Sequence, residues 1–266
     1  MDLRRAVEKA KEQRSGTQHP KKGPQNVGWI SPVYTQSLSL ALNPKNLTQN
    51  RCICINPDAS EAVPYKVLRT RIQHRCRAKG WNTIMITSVL PGEGKTLTAV
   101  NLALTFARQV NQTVLLVDCD LLRQSVHKYM GLPSMAGLAH YLMNGTGLKD
   151  LIIWPGIEKL TLISGGEPIM DSAELLGSPR MASLVSEMKS RYADRTILFD
   201  VPPLLSGADA ITLTPLMDAI LIVVEWGKTP LEEIQKAMDL IPQEKFLGFV
   251  LNRQKTRPKG YYGYNY

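Results

Sequence analysis

The sequence predicts an α/β fold in which a mostly parallel β-sheet carries helices on both faces. The chain has 266 residues, of which 44% are hydrophobic, so it can bury a large core. Apolar runs of strand length alternate with segments of helical period, as they do in sheets built from parallel strands and crossover helices. These runs are residues 83–87, 113–117, 160–163, 196–199, 219–224 and 246–251.

The first fifty residues have a composition that differs from the rest of the chain. They are poor in large apolar residues and contain four prolines, which is typical of a linker rather than of a core. We therefore predict a flexible basic segment over 1–50 and a folded domain over 51–252. Residues 253–266 form a tyrosine-rich C-terminal tail.

The net charge of +9 is concentrated in three stretches, residues 4–22, 66–79 and 253–259. The middle stretch falls on a predicted helix over 61–79, which Gly80 would end. A basic surface without interleaved aromatic residues or a known nucleic-acid motif is most often only a solvated surface. We therefore expect no nucleic acid as a partner.

The composition also limits the compartment and the chemistry. No apolar run approaches the roughly 20 residues that a membrane-spanning helix needs, and the N-terminus lacks the apolar stretch of a secretory signal. We therefore expect a cytoplasmic protein that meets a membrane only indirectly. The four cysteines have neither zinc-site spacing nor the density of a disulfide framework, and no histidine pair flanks a carboxylate at metalloprotease spacing.

A glycine-rich loop follows the first apolar run and leads into a helical segment over 97–110. Its glycines would let backbone N–H groups converge on phosphates, and the N-terminus of the helix adds positive potential. The lysine would reach the β- and γ-phosphates of ATP, and the threonine hydroxyl would bind Mg²⁺. The strict phosphate-loop pattern has glycine where this chain has Val89. The residues predicted to bind the nucleotide here are Pro91, Gly92, Glu93, Gly94, Lys95, Thr96 and Leu97.

Acidic residues follow two further runs of the predicted sheet. Asp118 and Asp120 come at the end of the second run, with Arg123 after them, and Asp200 follows the fourth run. Because ligands bind beyond the carboxyl ends of parallel strands, we expect these carboxylates near the phosphate loop. A carboxylate there can help to hold Mg²⁺ or accept a proton, although paired acids at a loop start are also ordinary helix caps. The pattern predicts an NTPase or a phosphotransferase.

From about residue 64 to the C-terminus, the sequence resembles the bacterial tyrosine kinases, or BY-kinases, of polysaccharide operons. That family is marked by a PGEGKT loop, a DxDxR-type motif, a DxPP motif and a tyrosine-rich tail. The corresponding residues are 91–96, 118–123, 200–203 and 261–266. Two further stretches are similar to the tyrosine autokinases of exosortase-type exopolysaccharide systems, namely 174–181 and 225–229.

The resemblance implies a tyrosine autokinase that uses ATP and Mg²⁺ and that regulates exopolysaccharide synthesis or export. The catalytic residues it implies are Lys95, Asp118, Asp120, Arg123 and Asp200. The Mg²⁺ ligands it implies are Thr96, Asp118 and Asp200, and Asn252 would lie near the adenine. Asp118 or Asp120 would orient the tyrosine hydroxyl or take its proton. The implied phosphate acceptors are Tyr261, Tyr262, Tyr264 and Tyr266.

Three positions depart from the patterns of this family and its relatives. Arginine stands one residue later than the DxDxR spacing, at Arg123 rather than at Leu122. The family's E-x-x-R-x-x-R oligomerisation helix aligns with Val63, Lys66 and Arg69, so its acidic residue is missing unless Glu61 substitutes, and homo-oligomerisation stays open. Partition and septum-site ATPases carry an extra lysine where this chain has Leu90, and its absence favours a kinase.

Two other functions stay open at this level. A non-kinase ATPase could use its nucleotide state to switch binding to a partner or a membrane, and a degenerate module could hold ATP without using it. The family commonly works with a membrane chain-length protein that activates the kinase. Because no membrane span is evident, we expect that activator to be a separate protein that recruits the kinase to the inner face of the membrane.

Overall fold

The structure is a computed structural model that describes residues 38–191 and 194–254. Within these residues, eight strands form one sheet in the order β1-β4-β5-β3-β6-β2-β7-β8. The strands are β1 (Leu38–Ser39), β2 (Thr83–Ser88), β3 (Thr113–Asp118), β4 (Ile153–Trp154), β5 (Leu160–Ile163), β6 (Arg195–Asp200), β7 (Ala219–Glu225) and β8 (Phe246–Asn252). Neighbouring strands run parallel except β4 and β5, which run antiparallel. The predicted mostly parallel sheet is confirmed.

Helices cover both faces of this sheet. They are α1 (Pro44–Gln49), α2 (Val63–Lys79), α3 (Lys95–Phe106), α4 (Val126–Met130), α5 (Leu138–Asn144), α6 (Leu148–Leu151), α7 (Ser172–Leu176), α8 (Pro179–Arg191), α9 (Asp209–Leu213) and α10 (Leu231–Asp239). Short 3₁₀ turns lie at Ile53–Ile55, Ser60–Ala62, Thr214–Leu216 and Gln243–Lys245. Because both faces are covered, β2 and β3 are buried at every residue and read as continuous apolar runs.

Alternate residues of β2 contribute to two cores on opposite faces of the sheet. Ile84 and Ile86 belong to the core that contains Phe106 of α3. Met85 belongs to the other core, with Phe199 of β6 and Met181 of α8. Each large apolar side chain that is fully buried stabilises the fold by roughly 1.5–3 kcal/mol. The strand ends that carry acidic residues are therefore held by packing on both sides.

The helix predicted over 61–79 begins at Val63, because Ser60–Ala62 forms a 3₁₀ turn before it. Pro64 lies in the first turn of α2, where the missing N–H of proline costs no hydrogen bond. The predicted end is confirmed, since Gly80 caps α2 in the left-handed conformation with φ of 67°.

The helix after the glycine-rich loop is shorter than the predicted segment 97–110. It begins at Lys95, directly after the left-handed Gly94, and ends at Phe106. Val110 is 67% exposed, so no buried apolar contact extends the helix to that residue.

Residues 38–50 correct the prediction that the whole segment 1–50 is flexible. Leu38 and Ser39 pair with β4, and Leu47 of α1 is only 1% exposed within the core next to α3. Pro44 is at the start of α1, a position that favours proline, so it begins a helix rather than marking a linker. The pairing with β4 and the burial of Leu47 hold this stretch to the domain, and average composition reveals neither contact. Residues 1–37 lie outside the described residues.

Candidate functional site

The carboxyl ends of β3, β6 and β2 meet at one edge of the sheet, because these strands are parallel neighbours. Asp200 of β6 pairs in register with Asp118 of β3 on one side and with Ile86 of β2 on the other. A cavity of about 570 Å³ opens at this edge. Its lining includes the glycine-rich loop, and also Asp120, Arg123 and Arg253.

The glycine-rich loop needs glycine at two positions. Gly92 and Gly94 have φ values of 83° and 96°, which side chains rarely tolerate. A Cβ atom on Gly94 would also lie 2.2 Å from Nδ2 of Asn252. Val89, which replaces the first glycine of the strict pattern, is fully buried in the core and so does not obstruct the loop. The N-terminus of α3 thus opens at the cavity, as in phosphate-binding loops.

Lys95 joins the loop to the ends of two strands. Its Nζ donates to Oδ2 of Asp120 at 2.7 Å and lies 3.6 Å from Oδ1 of Asp200. The hydroxyl of Thr96 donates to Oδ2 of Asp200 at 2.7 Å. The structure therefore brings together four residues that the sequence predicted for this site.

The carboxylates at this site repel one another in a buried environment. Burial raises the pKa of Asp118 to about 7, and the neighbouring carboxylate of Asp200 adds to the effect. Burial also raises the pKa of Asp200, although Lys95 and the Thr96 hydroxyl oppose the increase. Burial alone would lower the pKa of Lys95, but Asp200 and Asp120 outweigh it and raise this pKa. A cation near these carboxylates would reduce their repulsion.

Asp118 is directed toward the backbone of the loop after β3. Its Oδ2 accepts the N–H groups of Ser125 at 3.1 Å and Val126 at 3.0 Å, and its Oδ1 accepts that of Asp120 at 3.2 Å. Its side chain is completely buried. Asp118 therefore fixes the turn that presents Asp120 and Ser125 to the cavity. This role is close to that of a helix cap, the alternative function of such acidic residues.

Ser125 is a site residue that the sequence did not predict. Its hydroxyl donates to Oγ1 of Thr96 at 3.1 Å, and it lines the cavity. The local pattern identifies a serine immediately before a helix, which indicates a cap and no binding role. Arg123 also lines the cavity, and its backbone N–H donates to Oδ1 of Asp120 at 2.9 Å. Although Arg123 stands one residue later than the DxDxR spacing places arginine, it still lies at the site.

Other predicted nucleotide-binding residues contact the protein around the loop. Glu93 is 3% exposed, and its Oε2 accepts the N–H of Leu90 at 2.9 Å. Nδ2 of Asn252 donates to the carbonyl oxygen of Glu93 at 2.7 Å. Leu97 is half-buried in the first turn of α3. Asn252 thus lies beside the phosphate loop, and the carboxylate of Glu93 braces that loop.

The oxygens at this edge of the sheet fit a small divalent cation. Oδ1 of Asp200 is buried and has no hydrogen-bond partner among the described residues, although the ammonium group of Lys95 is nearby. The hydroxyls of Thr96 and Ser125 adjoin this carboxylate. Mg²⁺ usually binds one or two carboxylates together with substrate phosphates. Residues 38–191 and 194–254 contain no cluster of three acidic, histidine or cysteine side chains that could hold a metal without a further ligand.

The predicted acceptors Tyr261, Tyr262, Tyr264 and Tyr266 lie outside the described residues. The described part of the chain ends at Gln254, immediately after Arg253 at the cavity. Within that part, no helix combines the length and the apolarity that crossing a bilayer requires.

A phosphate loop beside acidic ends of parallel strands defines a P-loop nucleotide-binding protein. A family model described as "AAA domain" matches residues 81–246. The tyrosine-protein kinase YwqD of Bacillus subtilis is 32% identical over 220 residues, which cover 82% of this chain and 92% of YwqD. The chain belongs to the family of bacterial tyrosine kinases.

Two further similarities agree with this assignment. The tyrosine-protein kinase Wzc of Salmonella typhimurium is 30% identical over 225 residues, which cover 84% of this chain and 31% of Wzc. The crystal structure of the chimerical protein CapA2B2 superimposes with a TM-score of 0.69 at 27% identity, covering 84% of this chain and 95% of that chain. The similarity to both proteins extends over most of the present chain.

Replacing Gly94 by alanine should weaken nucleotide binding, because the new methyl group would collide with Asn252 and the left-handed backbone would be strained. We expect Gly94→Ala to raise the Kd for Mg-ADP by about tenfold or more, measured by calorimetry. Gly80→Ala is the control, since Gly80 is also left-handed but has open space around it. It should lower stability by about 1 kcal/mol and leave the Kd unchanged. Equal Kd values for Gly94→Ala and wild type would contradict this role for Gly94.

Proposed function

We propose that this protein is an ATP-dependent tyrosine kinase that phosphorylates its own tail at Tyr261, Tyr262, Tyr264 and Tyr266. The observation that carries the proposal is the contact of Lys95 with both Asp120 and Asp200 at the phosphate loop, where Lys95 and Asp120 line one cavity. That cavity also adjoins Arg253, the residue from which the chain continues toward the tail.

In this proposal, the N-terminus of α3 and the ammonium group of Lys95 bind the phosphates of ATP. Lys95 now contacts Asp120 at 2.7 Å, so a phosphate that attracts the ammonium group competes with that carboxylate. The competition leaves Asp120 more able to accept a hydrogen bond from a tyrosine hydroxyl. Nucleotide binding would thereby prepare the base as well as position the phosphates.

Thr96 and Asp200 would hold Mg²⁺, with the hydroxyl of Ser125 beside them. The ion supplies charge neutralisation for the phosphate oxygens during transfer. Asp118 was also predicted as a ligand, but its oxygens already accept backbone N–H groups. We therefore propose that Asp118 supports the site through the loop that it fixes.

Asp120 is better placed than Asp118 to serve as the base, because Asp120 lines the cavity and Asp118 is completely buried. The tyrosine oxygen attacks the γ-phosphorus, the bond from that phosphorus to the β–γ bridging oxygen breaks, and ADP leaves with that electron pair. Asp120 accepts the hydroxyl proton. Arg123 is exposed at the same cavity and would contact the oxygens of the transferring group.

Autophosphorylation can be tested by incubating the protein with labelled ATP and mapping phosphotyrosine by mass spectrometry. We expect label on the tail of the wild-type protein, and roughly a hundredfold less in Lys95→Met, because the phosphates lose their cation. Lys236→Met, an exposed lysine of α10, is the control and should label normally. Tail label that persists in Lys95→Met, or no label in the wild type, would refute the proposal. ATP hydrolysis without phosphotyrosine would instead favour a nucleotide-dependent switch.

The assignment of the base makes a separate prediction. Asp120→Asn should slow tail phosphorylation by about 100-fold, since the amide cannot accept the proton. The Kd for Mg-ADP should not rise, because the variant removes a carboxylate that competes with phosphate for Lys95. Asp239→Asn, on the exposed face of α10, is the matched control and should retain the wild-type rate. A wild-type rate in Asp120→Asn would exclude Asp120 as the base.

We also propose that the kinase acts in exopolysaccharide synthesis or export, recruited to the membrane by a separate activating protein. Self-association is part of this proposal. Arg69 of α2 aligns with the last arginine of the E-x-x-R-x-x-R pattern, but its side chain donates to the carbonyl oxygen of Thr105 at 3.0 Å within the same chain. Adding the cytoplasmic segment of a membrane chain-length protein should increase tail phosphorylation severalfold. Light scattering on the same samples would report self-association. An unchanged phosphorylation rate would count against the activating protein, and an unchanged molecular mass would count against self-association.

A further inference from the structure

The phosphate loop contains an anion, Glu93, at a position where loops of this kind bind negatively charged phosphates. A free carboxylate there would repel the ligand. In this structure the side chain of Glu93 is 3% exposed and is directed away into the protein. A buried carboxylate of this kind needs hydrogen-bond donors, so the groups that satisfy Glu93 also determine the shape of the loop.

Two donors satisfy this carboxylate. The N–H of Leu90 donates to Oε2 at 2.9 Å, which closes a turn within the loop itself. The hydroxyl of Thr229 donates to Oε1 from the turn after β7, which is distant in sequence. The first contact is local, whereas the second attaches the loop to the sheet.

Thr229 is itself held in a defined orientation. Its Oγ1 accepts the N–H of Glu225 at 2.9 Å, and its backbone N–H donates to the carbonyl oxygen of Glu225 at 3.2 Å. The hydroxyl has one proton and two acceptors in reach, and Oε1 of Glu93 lies closer to it than the carbonyl oxygen of Glu225, which is 3.3 Å away. Among side chains of this size, only those of serine and threonine have a hydroxyl, which can accept the N–H of Glu225 and donate to Glu93 at the same time.

A second connection reaches the same loop residue from β8. Asn252 donates to the carbonyl oxygen of Glu93 at 2.7 Å, and Glu225 pairs with Asn252 across β7 and β8. Glu93 is therefore held at its side chain by Thr229 and at its backbone by Asn252. Gly94, the next residue, has no space for a side chain because of Asn252.

We propose that Thr229 is a positioning residue for the nucleotide: its hydroxyl holds the Glu93 carboxylate away from the phosphates and fixes the loop in its phosphate-binding shape. This inference rests on the proposed nucleotide binding of the loop, but it does not depend on phosphoryl transfer to the tail. Thr229 touches no reacting atom and acts only through Glu93.

The test measures the Kd for Mg-ADP by calorimetry, and the KM and kcat for ATP. Thr229→Val keeps the shape of the side chain but leaves Glu93 without one donor, so we expect the Kd and KM to rise by about tenfold with kcat changed less. Thr229→Ser keeps the hydroxyl and should restore both constants to within about twofold. A Kd in Thr229→Val within twofold of wild type, or a Kd in Thr229→Ser as high as in Thr229→Val, would overturn the proposal.

Two controls separate positioning from a general loss of stability. Thr214→Val removes a buried hydroxyl that donates to the carbonyl oxygen of Ile211 at 2.9 Å, remote from the phosphate loop, and should leave the Kd unchanged. In a Glu93→Ala background, Thr229→Val should not change the Kd further, because the carboxylate through which Thr229 acts is already absent. Additive effects in that double variant would show that Thr229 acts by another route. A wild-type protein that binds Mg-ADP but forms no phosphotyrosine would refute the kinase proposal alone.

Discussion

The site depends above all on one half-buried lysine, Lys95, whose ammonium group lies between two carboxylates. Lys95 begins α3, Asp120 lies two residues after the end of β3, and Asp200 is the last residue of β6, so the charge of Lys95 connects three parts of the fold. Burial raises the pKa of Asp118 and the neighbouring carboxylate of Asp200 adds to the effect, so without that cation the acidic strand ends would repel one another more strongly. The same cation is the group that phosphates would attract. The ammonium group of Lys95 therefore both stabilises the site and attracts the ligand.

The parallel sheet is what makes this meeting of charges possible. Because β3, β6 and β2 are adjacent and parallel, the residues that follow them emerge at one edge, and register places Asp118 directly beside Asp200. Packing on both faces fixes the strands, so the acidic residues cannot separate to relieve their repulsion. A bound cation and the ammonium group of Lys95 are the remaining means of relief, which is why a nucleotide with its metal ion suits this edge.

The sequence predicted those features that depend on local pattern and failed for those that depend on distant contacts. Apolar runs located the central strands to within one residue at either end, and the structure brings Lys95 and Thr96 together with the predicted carboxylates of Asp120 and Asp200. Ser125 and Thr229 were missed because their roles come from partners remote in sequence, Thr96 and Glu93. Residues 38–50 were misjudged because the contacts that hold them, the pairing of β1 with β4 and the burial of Leu47, involve residues remote in sequence. Such contacts leave no periodicity in the sequence.

The position of β8 bears on how a tail tyrosine would reach the proposed base. Asn252, the last residue of β8, contacts the phosphate loop, and Tyr261 follows Arg253 by eight residues. Those residues could span at most about 27 Å when fully extended, so Tyr261 could reach no point farther than that from Arg253. Tethering at this distance corresponds to an effective concentration on the order of millimolar, and weak recognition would then suffice for phosphorylation within one chain. Transfer to a neighbouring chain would require self-association to compete with this tether.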